Sequence, residues 1–366
     1  MADSTLAACA VRVPCSTSNL GAGFDCLGLA FDRYLDAGFQ PREADWPQDP
    51  DWPQDPGEPR EPGEPREPGE RREPLETQGL GEPPHRGAPD DASASDALII
   101  RRTGTLAELE TAPAEDIIAT TFLAALKRRG IDHVRGTLLV TSEIPVGRGL
   151  GSSGAAAVAG VALAAAACRE PLCREDALAM AVRTEGHPDN AAPSLFGGLV
   201  AVAYHGHGPR AMRMPLSSDI GWVFASPDAT VSTQRARAAL PEQVPHSAAV
   251  RNTARMAALL HGLADADADA LAAGFNDELH VPYRMPLIPG GKAAMEAAAQ
   301  AGAWACTISG SGSGLLAACP LDRTNRVLDA MLESFRKGGH GGDGFVARPD
   351  LHGVQPRDLT TLMRLL

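Results

Sequence analysis

Apolar and polar positions alternate along this chain in a way that sorts it into strands and helices before any chemistry is considered. Residues 7–13 alternate and are partly β-branched, which predicts a strand that stops at Pro14. Small polar residues at 16–19, glycines at 21 and 23, and Asp25 predict a tight loop displaying Asn19 and Asp25, after which a second strand runs through Phe39. Structure resumes at Ala97 with LIIRRTG. Apolar residues at 117, 118, 122, 123 and 126 predict a helix over 113–129, closed by a basic run and Gly130. Residues 134–144 alternate again as a strand, and a long Ala-rich helix follows a short glycine-rich turn. A helix over 174–184 then leads into a Pro- and Gly-punctuated loop that precedes another strand.

The second half continues with strands near 210–214 and 219–225, a short helix over 232–241, and helices over 247–262 and 265–273. Arg284 is expected in a loop between Pro282 and Pro286. A helix over 291–301, a strand near 303–309, a Gly/Ser loop at 309–314, a strand to Cys319, a helix over 322–337 and a strand over 344–348 complete the pattern. Such alternation describes an open sheet with helices on one face. At 366 residues the chain is too long for one ordinary core, which points to two domains of roughly 150 to 200 residues each.

From about residue 41 to 95 the pattern disappears. A tandem DWPQDP repeat and repeated GEPREP units carry alternating charge and almost no aliphatic side chains. Proline at this density enters neither sheet nor helix interior, and so little apolar surface cannot offset the chain entropy of ordering. A disordered surface insertion is expected, with a proline-rich docking segment as the alternative.

Charge and cysteines narrow the function classes. A formal charge of −13 argues against a general nucleic-acid binder or a binder of anionic membranes, so an anionic substrate has to be held by local donors. The cysteines at 9, 15, 26, 168, 173, 306 and 319 form no CxxC pair and no cluster with histidine at metal spacing, and are expected as reduced, mostly buried thiols. No stretch approaches the ~20 unbroken apolar residues of a membrane span, and the N-terminus lacks a charged start followed by an apolar run. A cytoplasmic protein is expected.

Chemistry concentrates in three places. EIPVGRGLGSSGAAAVAG, from Glu143, brings a turn without bulky side chains directly into the Ala-rich helix. Gly149 and Gly151 allow positive φ and close approach, and the free N–H groups at the helix start face an anion. Ser152 and Ser153 stand where a hydroxyl caps the helix or touches a phosphate-bound metal. No lysine follows the glycines, which excludes a Walker loop. A capped core helix after a glycine turn would satisfy this window taken alone. The loop EGHPDN places Glu185, His187, Asp189 and Asn190 within six residues, where a lone His or Asp would read as structural. Thr233 and Arg237 share a helix face, being four residues apart.

Three segments resemble one family. PCSTSNLGAGFD, PVGRGLGSSGAA and ISGSGSGLLAA are similar, in order and spacing, to the three motifs of the GHMP kinases, the small-molecule kinases that act on galactose, homoserine, mevalonate and phosphomevalonate. EGHPDNAAPSLFGGL and STQRARAALP resemble the homoserine kinase branch. The third motif departs from the family at Gly312, Ser313 and Gly314, where Gly-Pro-Ser is usual, and the Pro-rich insertion is also unusual.

The resemblance implies an α+β, two-domain GHMP kinase fold. Residues 1–205 would form an ATP-binding domain like the second domain of a small-subunit ribosomal protein, and 206–366 a ferredoxin-like α/β sandwich. It further implies that Pro145, Val146, Gly147, Arg148, Gly149, Leu150, Gly151, Ser152, Ser153, Gly154 and Ala155 hold the ATP phosphates, with Ser153 and Glu185 on Mg²⁺. Asn19, Asp25, His187 and Asp189 would line the acceptor pocket, and Thr233, Arg237 and Arg284 would meet a substrate carboxylate. Catalysis would rest on Asp189, Glu185 and Ser153, with Asp189 in the place of the presumed base of mevalonate-type kinases. The implied substrates are ATP and L-homoserine, with no nucleic-acid or membrane partner, and a homodimer is compatible. Two alternatives stay open: a kinase of another small alcohol, and a nucleotide-dependent sensor without catalysis.

Overall fold

The computed structural model describes residues 6–42, 98–109, 111–206 and 208–365. The Pro-rich segment of 41–95 therefore lies almost wholly outside the described residues. Two sheets carry the fold. The first begins with β1 (Cys9–Ser18) and β2 (Leu27–Pro41), an antiparallel pair that shifts register between Pro14 and Cys15. Then β4 (Gly136–Ser142) pairs antiparallel with β2, and β3 (Leu98–Gly104) adds in parallel at the edge. A hairpin of β5 (Leu199–His205) and β6 (Gly208–Met214) joins at the Leu27 end of β2. The three-residue β11 (Gln355–Arg357) returns from the C-terminus to flank β1. Its Arg357 approaches Asp36, which Arg12 already holds by a two-pronged ion pair at 2.7 Å.

This pairing cuts across the expected division of the chain. A boundary between 205 and 206 would part β5 from its partner β6, and the last residues belong to the first sheet rather than to the second half. The hairpin stays with β5 because a strand's hydrogen bonds go to its nearest antiparallel neighbour.

Helix α1 (Ile117–Lys127) starts where Asp116 accepts a hydrogen bond from the Ala119 N–H. It packs on α2 (Ser152–Ala167), which is buried on nearly every side. That enclosure accounts for its composition: between α1, the first two strands and α3 (Arg174–Glu185), only small side chains fit. The second sheet, in the order β10 (Asp343–Ala347), β7 (Ile220–Ser226), β9 (Leu315–Pro320), β8 (Ala305–Ile308), is covered by two helices. These are α9 (Gly291–Ala301) and α10 (Thr324–Lys337); before them in the chain come the short helices α4 (Ala191–Phe196), α5 (Thr233–Ala238), α7 (Ala268–Phe275) and α8 (Val281–Arg284) and the 20-residue α6 (His246–Asp265). Two stacked layers fit the α+β expectation. Trp222 of β7 meets Phe31 of β2 edge-on, 6.0 Å apart, so the two halves share apolar contact. No helix among the described residues is long and apolar enough to cross a membrane.

Candidate active site

The glycine-rich turn has the conformation expected of an anion cradle. Gly147, Gly149 and Gly151 have φ of 68°, 82° and 62°, while the residues between them keep negative φ. Alternation of this sign turns successive N–H groups toward one side. Gly151 is the N-cap of α2 and provides no side-chain cap, so neither Ser152 nor Ser153 fills the capping position left open at the sequence level. The first intrahelical bond runs from Ala155 N to Gly151 O at 2.9 Å. The N–H groups of Ser152, Ser153 and Gly154 stand ahead of it, at the positive end of a 16-residue helix.

The turn is braced from three directions. Ser309 donates its hydroxyl to the Gly149 carbonyl at 2.7 Å, and Gly314 N–H donates to the Arg148 carbonyl at 3.1 Å. Ser16 N–H donates to Leu150 O at 3.2 Å, while the Ser16 hydroxyl donates to the Asn190 carbonyl at 2.9 Å. Arg148 turns its guanidinium away from the turn, to Ser226 Oγ at 3.0 Å and to the carbonyls of Pro227 and Asp228. The three motifs are thus tied into one unit, and Ser313 completes it by donating to the Ala229 carbonyl. Around the turn lies a cleft of about 230 Å³, lined by Gly147 to Ser153 without Arg148, and by His187, Asn190, Ser232, Thr233, Gly310 and Ser311 among others.

On the cleft's inner wall, Ser153 donates its hydroxyl to Glu185 Oε2 at 2.8 Å. Glu185 ends α3, and burial raises its pKa, with the Ser153 hydrogen bond opposing that rise. Asp189 is fully buried and lies 2.7 Å from His187 Nδ1. Burial works to lower the His187 pKa, but the Asp189 hydrogen bond and charge outweigh it and leave it raised. Asn190 begins α4 (Ala191–Phe196), a short helix where a loop was expected.

Asp25 and Arg237 form the second pair. Arg237, on α5 (Thr233–Ala238), donates to both carboxylate oxygens of Asp25 at 2.8 and 3.0 Å. Thr233, one helical turn earlier, places its hydroxyl 3.4 Å from that of Ser311. Pro145 and Val146 lead into the turn, and Val146 is exposed, whereas Leu150 and Ala155 point into the core.

Two residues differ from the sequence reading. Asn19 is not displayed: it is 5% exposed, its amide donates to Gly310 O at 3.0 Å, and its Oδ1 accepts from Asp25 N–H at 2.9 Å. It serves as a strut between the first and third motifs. Arg284 is not in a loop but ends the helical turn α8 (Val281–Arg284) and is 1% exposed. Its guanidinium donates to the carbonyls of Ala236 and Gly310 and lies over the Phe24 ring. Burial, with Arg237 nearby, lowers its pKa. Ser16, Thr17 and Ser309 are contributors that sequence reasoning missed. Their signal was the run of small polar residues in the first motif, in which Thr17 pairs with Ser309, 292 positions away.

Comparison with known proteins identifies the family. Residues 116–198 match the GHMP kinases N terminal domain and residues 256–337 the GHMP kinases C terminal domain. A homoserine kinase of Prochlorococcus marinus is 35% identical over 346 residues, covering 94% of this chain and 92% of that protein. The chain belongs to the GHMP kinase family. A second relative of this GHMP kinase, a homoserine kinase of Synechococcus, is 36% identical over 330 residues, covering 90% of each chain. The crystal structure of homoserine kinase from Cytophaga hutchinsonii superposes with a TM-score of 0.73 at 24% identity, covering 96% of this chain and 97% of that one. A mevalonate kinase from L. major, in complex with R-mevalonate, has the same fold at a TM-score of 0.62 and 12% identity, covering 92% and 94%. In this chain the glycine turn, Ser153 and Thr233 line the cleft, with Glu185 bonded to Ser153 and Arg237 on the same short helix as Thr233.

Proposed function

We propose that this GHMP kinase transfers the γ-phosphoryl group of ATP to the side-chain hydroxyl of L-homoserine, giving O-phospho-L-homoserine for threonine biosynthesis. The observation that carries the reading is the Asp25–Arg237 pair beside the phosphate turn, because it presents a carboxylate and a guanidinium fork together. A zwitterionic amino acid offers the complementary pair, an ammonium for Asp25 and a carboxylate for Arg237. A mevalonate-type acid matches the arginine alone. The full-length relatives at about 35% identity support the same acceptor.

The nucleotide's phosphates would lie on the N–H groups of Ser152, Ser153 and Gly154. There the fixed helix-end dipole stabilises negative charge without reorganising during the reaction. Among the described residues no group of three or more His, Cys, Asp or Glu side chains could hold a metal alone. The single Ser153–Glu185 oxygen pair fits Mg²⁺, which takes one or two carboxylates and completes its shell with phosphates and water. When bound, the ion would neutralise charge spread over the transferring oxygens. Asp189, held by His187, would orient the acceptor hydroxyl or ammonium. A loose transition state does not require that hydroxyl to lose its proton early, so positioning is the role assigned to it.

ADP release measured with ATP, Mg²⁺ and one alcohol at a time tests the assignment. L-homoserine is expected to give the highest kcat/KM, and turnover of mevalonate at an equal or higher rate would overturn it. No ADP above background with any alcohol would favour a nucleotide sensor instead.

A further inference from the structure

The loop that carries Asp25 does not hold itself in place. Asn19 and Asp25 both have left-handed backbone, with φ of 59° and 55°, a conformation unfavourable for a residue with a side chain. Internal bonds from Gly23 N to Leu20 O and from Leu27 N to Gly23 O close the turn, but its outer face is suspended from the second half of the chain. Ala22 N–H donates to Gly274 O at 2.9 Å, at the end of α7 (Ala268–Phe275). Asn252 Nδ2, on α6 (His246–Asp265), donates to Ala22 O at 3.2 Å. The third support is His280. Its Nε2 lies 3.0 Å from the Gly21 carbonyl, and its ring stacks on Phe24 with centroids 5.1 Å apart and 23° between planes.

We propose that His280 is a positioning residue for the acceptor subsite, setting Asp25 against Arg237 by holding the Gly21 carbonyl and the Phe24 ring. A carbonyl oxygen only accepts, so Nε2 carries the proton and Nδ1 is the free nitrogen. Burial lowers the imidazole's pKa, with the Asp277 charge opposing that fall, and the side chain is fully enclosed. His280 is fixed in turn by Asp277, whose Oδ2 accepts from His280 N–H at 2.6 Å and from Val281 N–H at 2.8 Å. Those bonds start α8, and Arg284 N–H donates back to His280 O at 3.0 Å to complete its turn. One turn of helix therefore delivers two contacts. His280 holds the loop at Gly21, while Arg284 lies over the Phe24 ring and shares the Gly310 carbonyl with Asn19. Since Asp25 follows Phe24 directly, a shift of that ring is passed to the carboxylate that meets Arg237.

The proposal rests on the acceptor reading above, and the test separates the two. Steady-state kinetics and thermal melting are measured for the full chain and for His280→Gln, His280→Asn and His280→Leu. Glutamine places an N–H where Nε2 stood, while asparagine is too short to reach Gly21. His280→Asn and His280→Leu are expected to raise the homoserine KM by ~10-fold or more, with the ATP KM changed by less than about twofold. His280→Gln is expected to restore most of the loss. Should the leucine variant not fold, the Gln and Asn pair decides alone. Equal homoserine KM values in those two, or a parallel rise in both substrates' KM values, would overturn the positioning role. A full chain that phosphorylates a different alcohol would instead refute the acceptor assignment, and the same KM comparison with that alcohol would still decide the role of His280.

Discussion

Glu185→Ala is expected to lower kcat by ~10³-fold or more while shifting the melting temperature by only a few degrees. The two effects separate because of where the carboxyl sits. Glu185 is the last residue of α3, and the hydrogen bond to its side chain comes from Ser153. Burial already disfavours its charged form, so its removal relieves desolvation as well as losing a contact. Ser153 keeps a hydroxyl that water can satisfy in the cleft. The chemistry has no such replacement, because Glu185 is the carboxylate assigned to the ion beside the phosphate turn, and a thousandfold loss corresponds to about 4 kcal/mol of transition-state stabilisation. ADP release under saturating homoserine and a thermal melt measure the two quantities. Near-normal turnover in this variant would remove Glu185 from the metal site.

Gly149→Val is expected to abolish detectable ATP binding and to cost about 2–4 kcal/mol of stability. Two independent causes act at this position. The backbone has φ of 82°, where a β-branched residue is strained, and a Cβ built there would lie 2.0 Å from the Ser309 carbonyl. The clash is with main chain, so relief requires the second and third motifs to move apart, and with them the N–H groups at the head of α2. Gly130→Ala separates strain from collision, because Gly130 has φ of 78° with nothing within 4 Å of the added atom. That control should lose about 1 kcal/mol and keep its ATP affinity. Isothermal titration with an ATP analogue and chemical unfolding check both variants. Unchanged nucleotide affinity in Gly149→Val would mean that the turn is not the phosphate site.

Much of the site was legible because its parts are local. Glycines alternating with other residues at 147–151 require a particular backbone whatever surrounds them, and the structure adopts it. Glu185, His187, Asp189 and Asn190 were grouped by sequence adjacency alone; His187 and Asn190 line the cleft, while Glu185 and Asp189 are bonded to the lining residues Ser153 and His187. What escaped depends on partners far along the chain. Asn19 and Arg284 read as displayed polar groups, yet both end on the Gly310 carbonyl, which no local pattern reveals. His280 has no periodic signal, since its acceptor lies 259 residues away. In the fold, α4 was read as loop because Pro193 suggests a break, although proline is tolerated in a helix's first turn. The strand β11 was missed because three residues with a central proline carry no pattern, and they suit a sheet edge only. Strand β6 was predicted as an element but assigned to the wrong half, since periodicity identifies a strand without identifying its neighbour.

The most direct measurement is a crystal structure with a non-hydrolysable ATP analogue, Mg²⁺ and L-homoserine bound together. The account predicts the terminal phosphates on the N–H groups of Ser152 to Gly154, with the homoserine ammonium at Asp25 and its carboxylate at Arg237. The hydroxyl should then face the γ-phosphorus at ~3–3.5 Å. Nucleotide and amino acid found in separate crevices, or phosphates bound away from the start of α2, would contradict it.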